Sequence, residues 1–338
     1  MRTPLRVGVA GATGAVGLEM LRVLEEREFP LELVRPMASG RAESRSVRFR
    51  GVDLAVEELT PASVRGLDVI LFATGPDVSR EFVPLTAAAG AVAIDNSRAF
   101  RMDPAVPLVV PEVNPDAVSG HRGIIANPNC STIQMVLVLE PIRREAPIAR
   151  VVVSTYQSVS GTGLAAIEEL SSQSRAVLDG RPVASRVYPV QIAFNCVPHI
   201  DEFDDEGATR EETKMVLETR KIMGLPGLPV AATCVRVPAF RAHAMAIAIE
   251  TAAEVEPSRA REVLAAFPGV RVLDDTGAGV YPTQLDAAGN DDVWVGRVRR
   301  DPSVEHGLWV WAVADNLRKG AATNAVQIAE LLIERNGG

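Results

Sequence analysis

The sequence NPNCST, residues 127–132, places Cys130 between a short apolar run and a helical pattern. Residues 123–126 predict a strand, and residues 133–140 predict a helix that ends before Pro141. Cys130 is therefore expected at a helix N-terminus, where unpaired backbone amides and the helix dipole favour a thiolate. Such a thiolate is a nucleophile with oxyanion-stabilising amides beside it. The alternative is a small, buried and inert cysteine.

A glycine-rich segment, Gly8-Val-Ala-Gly11-Ala-Thr-Gly14-Ala-Val-Gly17, follows the first predicted strand and opens the first predicted helix. In this context glycines let the backbone approach a pyrophosphate, which the helix N-terminus binds. The spacing GxxGxxG is a variant of the dinucleotide-binding pattern GxGxxG. The segment predicts dinucleotide binding, and a purely structural turn is the alternative.

The segment from Met37 to Ser44 is expected to contact the ribose of that cofactor. An NAD site usually carries an acidic residue about 20 residues after the glycines. Here the segment contains Ser39, Arg41 and Ser44, whose hydroxyls and guanidinium suit a 2′-phosphate. It therefore favours NADP over NAD, although Glu43 points the other way and a surface loop is the alternative.

Two cationic or titratable side chains of the second half could also do chemistry. The alternation of residues 243–249 places His243, Met245, Ile247 and Ile249 on one face of a strand. His243 could serve as a general acid or base, or be a half-buried histidine at a strand end. Arg236 offers a planar fork for a substrate carboxylate, with a surface arginine as the alternative.

A helix is predicted from Thr209 to about Met223, and Thr209 with Glu212 fits a capping box. Glu211 and Lys214 share a face of this helix because they are three residues apart. Arg98 follows the carboxyl end of a predicted strand, which is where α/β sheets bind ligands. Cofactor, thiol and arginine could therefore share one crevice.

Composition narrows the class of protein. The chain has 338 residues, which suggests about two domains, and a formal net charge of −8 that argues against a nucleic-acid partner. Its three scattered cysteines have no metal-ligand spacing and indicate a reducing compartment, with the cytoplasm as the default. No apolar run reaches the ~18 residues that span a membrane. The acidic segment 201–206 is expected to be a solvated loop.

These candidates must be positioned by an α/β architecture. The first 125 or so residues alternate predicted strands with helices, which is typical of parallel βαβ units. These strands are predicted at 5–10, 67–73, 91–95 and 122–126, and the helices at 15–28 and 77–89. After Pro147 a strand at 151–156 and a helix at 163–178 precede strands at 230–236, 243–250, 293–299 and 308–314, which suggest a mixed or antiparallel sheet. The helical segment from Gly320 is expected to pack on the first domain.

Motifs along nearly the whole chain carry a family resemblance. In chain order they are GATGAVG, DNSRAFR, PEVN, NPNCST, QSVSG, IAFN followed by PHID, EETKM, CVRVP and DNLRKGAA. Together they resemble the aspartate-semialdehyde dehydrogenase family. The resemblance implies a Rossmann-type NADP-binding domain over residues 1–127, completed by a C-terminal helix over 318–336. It also implies an α+β catalytic and dimerisation domain with a mixed sheet over 128–317.

The resemblance further implies a reaction and a role for each matching residue. Aspartyl phosphate would be reduced with NADPH to aspartate semialdehyde and inorganic phosphate through a cysteine thioester, without a metal, in a homodimer or a dimer of dimers. This reaction serves the biosynthesis of lysine, diaminopimelate, threonine and methionine.

The resemblance also implies a role for each catalytic residue. Cys130 matches the nucleophile, His243 the acid/base, and Gln157 the residue that positions the substrate. Arg236 matches the ligand of the substrate carboxylate, and Glu211 the partner of its ammonium group. Arg98, Lys214 and Asn129 match the phosphate contacts. Gly11, Thr13, Gly14, Ala15, Val16, Gly40, Arg41, Ser160, Gly161 and Asn316 match the cofactor contacts.

Two departures and three alternatives accompany this interpretation. The loop at residues 74–76 and Thr162 differ from the family pattern near the expected cofactor site. An N-acetyl-gamma-glutamyl-phosphate reductase would be expected to carry NPGCY, so Asn129, Ser131 and Glu211 favour the aspartyl enzyme. A non-redox cysteine hydrolase or acyltransferase would leave the glycine loop unexplained. An inactive, binding-only paralogue is disfavoured because the Cys, Gln, Arg and His set is intact.

Overall fold

The protein was analysed as a computed structural model, which describes residues 4–40 and 44–336. Arg41 and Glu43, on which the choice of cofactor partly rests, lie outside the described residues. The chain divides into two compact units, one of Met1–Asn129 with Gly320–Gly338 and one of Cys130–Lys319. Among the described residues, no helix is both long and apolar enough to cross a membrane.

The regular elements follow in chain order. The strands are β1 (Leu5–Ala10), β2 (Leu31–Ala38), β3 (Ser46–Phe49), β4 (Val52–Ala55), β5 (Glu57–Glu58), β6 (Val69–Phe72), β7 (Val92–Asp95), β8 (Ile124–Ala126), β9 (Ile148–Gln157), β10 (Val230–Arg236), β11 (His243–Thr251), β12 (Val270–Val272), β13 (Val293–Arg300) and β14 (Gly307–Ala314). The α-helices are α1 (Ala15–Glu26), α2 (Pro76–Ala88), α3 (Cys130–Glu145), α4 (Leu164–Leu178), α5 (Arg210–Met223), α6 (Pro257–Ala265), α7 (Gln284–Ala287) and α8 (Thr323–Asn336).

The first unit is a parallel sheet covered by helices on both faces. Its strand order is β5-β2-β1-β6-β7-β8, and every neighbouring pair is parallel. Val7 and Val9 of β1 join α1 and α8 in one buried cluster, whereas Ile70 and Phe72 of β6 pack with α2 on the other face. Because both faces are covered, the central strand β6 is apolar and buried at every position rather than alternating. The predicted Rossmann-type fold is confirmed.

The glycine-rich turn between β1 and α1 has steric reasons for two of its glycines. Gly11 has a φ of +81°, and a Cβ there would lie 2.4 Å from the carbonyl oxygen of Ala73. A Cβ on Gly17 would lie 2.1 Å from the carbonyl oxygen of Gly11. A Cβ on Gly14, by contrast, would meet nothing closer than 3.5 Å. The fold therefore requires Gly11 and Gly17, and Gly14 leaves the start of α1 open to an incoming group.

The second unit is built on a mixed sheet, as the sequence suggested. Its strand order is β10-β9-β11-β14-β13-β12, with parallel pairs at the two ends and antiparallel pairs between them. The alternating residues of β11 are buried in the expected way, with Met245, Ile247 and Ile249 at most 1% exposed. This sheet carries the strand ends on which the site is built.

Helix α3 differs from its prediction at both ends. It begins at Cys130 itself and continues through Pro141 to Glu145, whereas the sequence placed its end before the proline. Proline removes one backbone hydrogen bond from a helix, but all residues from Ser131 to Ile142 are buried, so packing outweighs that loss. The carboxylate of Glu140 also pairs with Arg143 and Arg144 in the following turn.

The close approach at Gly17 gives a stability prediction. Gly17→Ala is expected to lower the free energy of unfolding by about 1–3 kcal/mol, because the added methyl group would overlap a backbone oxygen that cannot move freely. The matched control is Gly75→Ala at the start of α2, where a Cβ meets no atom within 4 Å. Chemical denaturation at a fixed protein concentration measures both variants. Equal stabilities would contradict the steric argument.

Candidate active site

Three strands of the second unit bring Arg236, Gln157 and His243 into one row. In the sheet register, Arg236 of β10 and His243 of β11 are both paired with Gln157 of β9. Directly opposed residues of neighbouring strands point to the same face of a sheet. All three side chains are buried, with exposures of 5%, 1% and 0%. The row thus combines a guanidinium, an amide and an imidazole out of water.

Helix α5 adds a carboxylate to this row. The Gln157 amide donates from Nε2 to Glu211 Oε1 at 3.2 Å, and Lys214 Nζ donates to Glu211 Oε2 at 2.9 Å. Burial lowers the pKa of Lys214, but the attraction of Glu211 and Asp201 outweighs it, so the pKa of Lys214 is raised. Lys214 therefore stays charged and forms an ion pair with Glu211.

The start of α5 is fixed as the sequence predicted. Thr209 and Glu212 form the capping box, in which each side chain accepts a hydrogen bond from the other residue's backbone. The carboxylate of Glu212 also accepts the backbone N–H of Cys234 at 2.9 Å, which ties the helix to β10. Glu212 is accordingly structural, and Glu211 at the preceding position contacts Gln157 of the row.

The acidic segment is only partly the solvated loop that was predicted. Residues 202–206 are exposed, but Asp201 is half-buried with a φ of +70° and accepts a hydrogen bond from Lys214 Nζ at 2.8 Å. Asp201 is partly buried for an electrostatic reason, because a second carboxylate stabilises the charge of the buried Lys214. No sequence signal separated Asp201 from its acidic neighbours.

His243 is fully buried, which excludes the half-buried alternative. Its Nδ1 accepts the backbone N–H of Ser158 at 3.0 Å, and the Ser158 hydroxyl lies 3.1 Å from the same nitrogen. Burial, and next the charge of Arg236, lower the pKa of His243 to about 3, although Glu211 acts in the opposite sense. The imidazole is therefore neutral near pH 7, and since Nδ1 accepts, its proton lies on Nε2.

Arg236 is anchored through only part of its guanidinium. Its Nη1 donates to the carbonyl oxygen of Ser158 at 2.6 Å. Its Nε is buried and has no hydrogen-bond partner among the described residues. A buried, unpaired donor on a fixed cation suits an incoming carboxylate. The surface-arginine alternative is thereby excluded.

Cys130 is the first residue of α3, which belongs to the second unit. Gln134, one turn further along that helix, donates to the carbonyl oxygen of Ala314 at 3.4 Å, and Ala314 is paired with His243 in the sheet. Cys130 also contributes to raising the pKa of Cys234, although burial and Glu211 contribute more. The helix start and the row are therefore neighbours.

The other two cysteines do not share these properties. Cys234 is buried, and its thiol donates to the sulfur of Met215 at 3.6 Å, while its raised pKa keeps it protonated. Cys196 is exposed, and none of the three cysteines forms a disulfide. Only Cys130 combines partial exposure with a position at a helix N-terminus.

The expected cofactor residues of the second unit surround His243. Ser160 donates its hydroxyl to Asn316 Oδ1 at 3.0 Å. A Cβ on Gly161 would lie 3.0 Å from Arg236 Nη1 and 3.2 Å from His243 Nε2, so glycine keeps the space before both side chains open. A side chain at position 161 would fill the space into which His243 Nε2 points.

In the first unit, the predicted residues lie at the carboxyl ends of the parallel strands. Thr13, Gly14, Ala15 and Val16 form the turn into α1, and Gly40 follows β2. Arg98 follows β7 and is exposed, whereas Asn129 is buried at the end of the first unit. The sequence missed Glu58 here, whose carboxylate lies beside Gly40 so closely that a Cβ on the glycine would be 2.6 Å from Oε1.

A further residue of the first unit was missed although it lies in the DNSRAFR motif. Arg101 is buried, and its guanidinium donates to the carbonyl oxygens of Asn127 and Asn96 at 3.0 and 2.6 Å. Asn324 of α8 donates to Asn127 Oδ1 at 2.6 Å. These bonds fix the backbone that leads into NPNCST.

Comparison with known proteins agrees with this geometry. Residues 6–121 match the family model of the semialdehyde dehydrogenase NAD-binding domain, and residues 139–319 match that of the semialdehyde dehydrogenase dimerisation domain. An aspartate-semialdehyde dehydrogenase of Aquifex aeolicus is 53% identical over 97% of this chain and 98% of its own length. The corresponding protein of Legionella pneumophila is 51% identical over 98% and 96%.

The chain belongs to the aspartate-semialdehyde dehydrogenase family.

A solved structure of the family gives the same fold. Aspartate semialdehyde dehydrogenase II from Vibrio cholerae, solved complexed with ASA, is 47% identical, covers 98% of this chain and 99% of its own, and has a TM-score of 0.94. The resemblance inferred from the sequence motifs is thus confirmed, and so is the membership in a family of oxidoreductases. The roles of the individual residues stay predictions, which the contacts described above support to different degrees.

The low pKa of His243 predicts an acid-dependent loss of stability. Because the folded pKa of about 3 lies below the ordinary value of 6.5, the unfolded chain binds one more proton between these values. Stability that is fully present above pH 6.5 is then lost as the pH falls, by about 1 kcal/mol per pH unit between pH 6 and 4. His243→Gln should remove this part of the slope, as measured by urea denaturation at several pH values. If the free energy of unfolding had the same dependence on pH in His243→Gln as in the unchanged protein, this prediction would be wrong.

Proposed function

We propose that this chain reduces L-aspartyl 4-phosphate to L-aspartate 4-semialdehyde with NADPH, releasing inorganic phosphate. The observation that carries the proposal is the row of Arg236, Gln157 and His243 beside Glu211 and the helix start at Cys130. This set provides a nucleophile, a proton donor and opposite charges for the two ends of an amino acid. The product serves the biosynthesis of lysine, diaminopimelate, threonine and methionine.

Opposite charges recognise the amino-acid part of the substrate. Arg236 binds the α-carboxylate through the guanidinium nitrogens that the Ser158 carbonyl leaves free. Glu211 binds the α-ammonium group and is itself held in place by Lys214. Gln157 fixes the orientation of Glu211 through its amide. An N-acetylated substrate lacks the positive charge that Glu211 requires, so the N-acetyl-gamma-glutamyl-phosphate alternative is disfavoured.

Cys130 carries the acyl group. Its thiolate sulfur forms a bond to the acyl carbon, and the bond from that carbon to the phosphate oxygen breaks with the electron pair leaving on phosphate. When bound, NADPH supplies the hydride that reduces the thioester. The bond from carbon to Sγ then breaks, which releases the aldehyde and restores the thiolate. Backbone amides at the start of α3 stabilise the oxyanion at each stage.

His243 assists as a neutral donor. Its Nε2–H has no hydrogen-bond partner among the described residues and points into the space that Gly161 leaves open. A hydrogen bond from Nε2 to the oxyanion stabilises it without a net proton transfer, as the reductive reaction requires when Cys130 starts and ends as a thiolate. In the reverse direction the same nitrogen can relay the proton of a thiol.

The first unit supplies the cofactor contacts. Thr13, Gly14, Ala15 and Val16 fit a pyrophosphate, because Gly14 leaves the amides of α1 accessible and no side chain caps them. We assign the cofactor as NADP, with Gly40 and Arg41 at the adenosine ribose and Ser160, Gly161 and Asn316 as the remaining contacts. Arg98, Asn129 and Lys214 are proposed phosphate contacts.

The assembly follows from the match to the dimerisation-domain model. We assign a homodimer as the minimal active form, and a dimer of dimers is the other assembly compatible with the family resemblance. The three cysteines without disulfides fit a reducing compartment such as the cytoplasm.

The decisive experiment removes the nucleophile. Cys130→Ala is expected to abolish phosphate-dependent oxidation of aspartate semialdehyde with NADP, because no other described thiol lies at a helix start. Cys196→Ser is the matched control and should retain activity, since this thiol is exposed and outside the row. The assay follows NADPH absorbance, with N-acetylglutamate semialdehyde as the competing substrate. Activity of Cys130→Ala, or preference for the N-acetylated aldehyde, would refute the proposal.

Glu58 gives a separate prediction on cofactor choice. Its carboxylate beside Gly40 repels a 2′-phosphate, so Glu58→Gln should raise the ratio of kcat/KM for NADP over NAD by roughly 5-fold, equivalent to ~1 kcal/mol of Coulomb energy. Glu57→Gln, on the neighbouring position of β5, is the control because Glu57 faces Arg35. A ratio that Glu58→Gln leaves unchanged would show that this carboxylate does not face the ribose.

A further inference from the structure

Three hydrogen-bond donors converge on one oxygen beside His243. Asn316 Oδ1 accepts the backbone N–H of Ala242 at 3.1 Å, the hydroxyl of Ser160 at 3.0 Å and that of Ser158 at 3.2 Å. A backbone N–H can only donate, so the atom of Asn316 that faces Ala242 is the carbonyl oxygen. All these groups are buried. The side-chain oxygen of Asn316 thus accepts its hydrogen bonds from protein groups rather than from a cofactor.

Ala242 connects Asn316 to the backbone of His243. It directly precedes the histidine and has a φ of +68°, a conformation that costs free energy for a residue with a Cβ. Its N–H is bound by Asn316, and its carbonyl oxygen accepts Gln284 Nε2 at 2.8 Å. Two side chains therefore hold the backbone in the conformation that starts β11 at His243.

Ser158 connects Asn316 to the imidazole. Its hydroxyl lies 3.1 Å from His243 Nδ1 and 3.2 Å from Asn316 Oδ1. With a neutral ring, Nδ1 accepts the Ser158 N–H and the Ser158 hydroxyl donates to Asn316 Oδ1. With a protonated ring, Nδ1–H can donate to Ser158 Oγ while the hydroxyl keeps its bond to Asn316. The serine thus couples the ring to the amide oxygen in both protonation states.

We propose that Asn316 is a positioning residue for His243, which it holds through the Ala242 N–H and the Ser158 hydroxyl so that Nε2–H faces the substrate. This inference rests on the proposed function in that it gives the histidine its reacting nitrogen. It assigns the carbonyl oxygen of Asn316 a role that is independent of any contact between its NH₂ group and the cofactor.

The charged groups around His243 set the background for a test. Arg236 on β10 disfavours a proton on the ring, and Glu211 on α5 favours it. Asp315 of the segment after β14 is buried and paired with Arg241 at 2.5 Å. Gln157 at the end of β9 and Ser158, which follows it, carry no charge. A new carboxylate at position 316 would therefore change a defined electrostatic balance.

The test uses enzyme free of cofactor and substrate, labelled with ¹⁵N-histidine and studied by NMR. His243→Gln identifies the His243 signals. In Asn316→Ala the two ring nitrogens are expected to lose the separation of a single Nε2–H tautomer, and kcat at saturating NADP should fall roughly 10- to 100-fold. Ser160→Ala removes a donor to the same oxygen and reaches the ring only through the Ser158 hydroxyl, so it should change the ring signals much less than Asn316→Ala does.

A nearly isosteric variant covers the case that Asn316→Ala does not fold. Asn316→Asp keeps the acceptor oxygen and adds a negative charge, so an NMR titration should show the pKa of His243 raised by at least one unit. Adding Ser158→Ala should cancel more than half of this rise, since the hydroxyl carries the coupling. Ring signals unchanged in Asn316→Ala, or a rise that Ser158→Ala leaves intact, would overturn the proposal. The NMR readouts need no turnover, so a failure of the catalytic proposal, seen as activity in Cys130→Ala, remains distinguishable.

Discussion

Charge neutrality in a buried site is the constraint on which the rest of this structure depends. Arg236 and Lys214 carry positive charges, and Glu211 and Asp201 carry negative ones, within a site largely removed from water. Buried charges are tolerable only when they are paired and hydrogen-bonded. Because these four charges sum to zero, His243 adds least cost when it is neutral, as its lowered pKa indicates. The α-ammonium and α-carboxylate groups of an amino acid preserve this balance when they bind.

The sheet register supplies the geometry that this balance requires. Residues separated by up to 86 positions along the chain become direct neighbours because β9 pairs with both β10 and β11 at Gln157. The backbone on either side is held by side chains rather than by ligands, with Glu212 binding Cys234 and Asn316 binding Ala242. When the groups of a site are fixed before the substrate binds, little free energy is needed to reorganise them during the reaction.

Local patterns predicted the elements that have strong signals of their own. The glycine turn, the capping box at Thr209 and the alternation of β11 each depend on residues close in sequence, and each is confirmed. Helix α3 was predicted too short because the rule for proline is local, whereas its buried surroundings are not. The hairpin β3–β4 and the strands β5 and β12 were missed, since they are short and lack a continuous apolar pattern.

The sequence by itself determined the family, the α/β class and the residue types that can do the chemistry. Motif order and local periodicity depend only on the order of residues along the chain. Only the tertiary structure decided the state of those residues. The tautomer of His243, the partners of Lys214 and the carboxylate of Glu58 beside Gly40 depend on atoms distant in sequence. Burial and hydrogen bonding set protonation and orientation, and both arise from packing rather than from the order of residues.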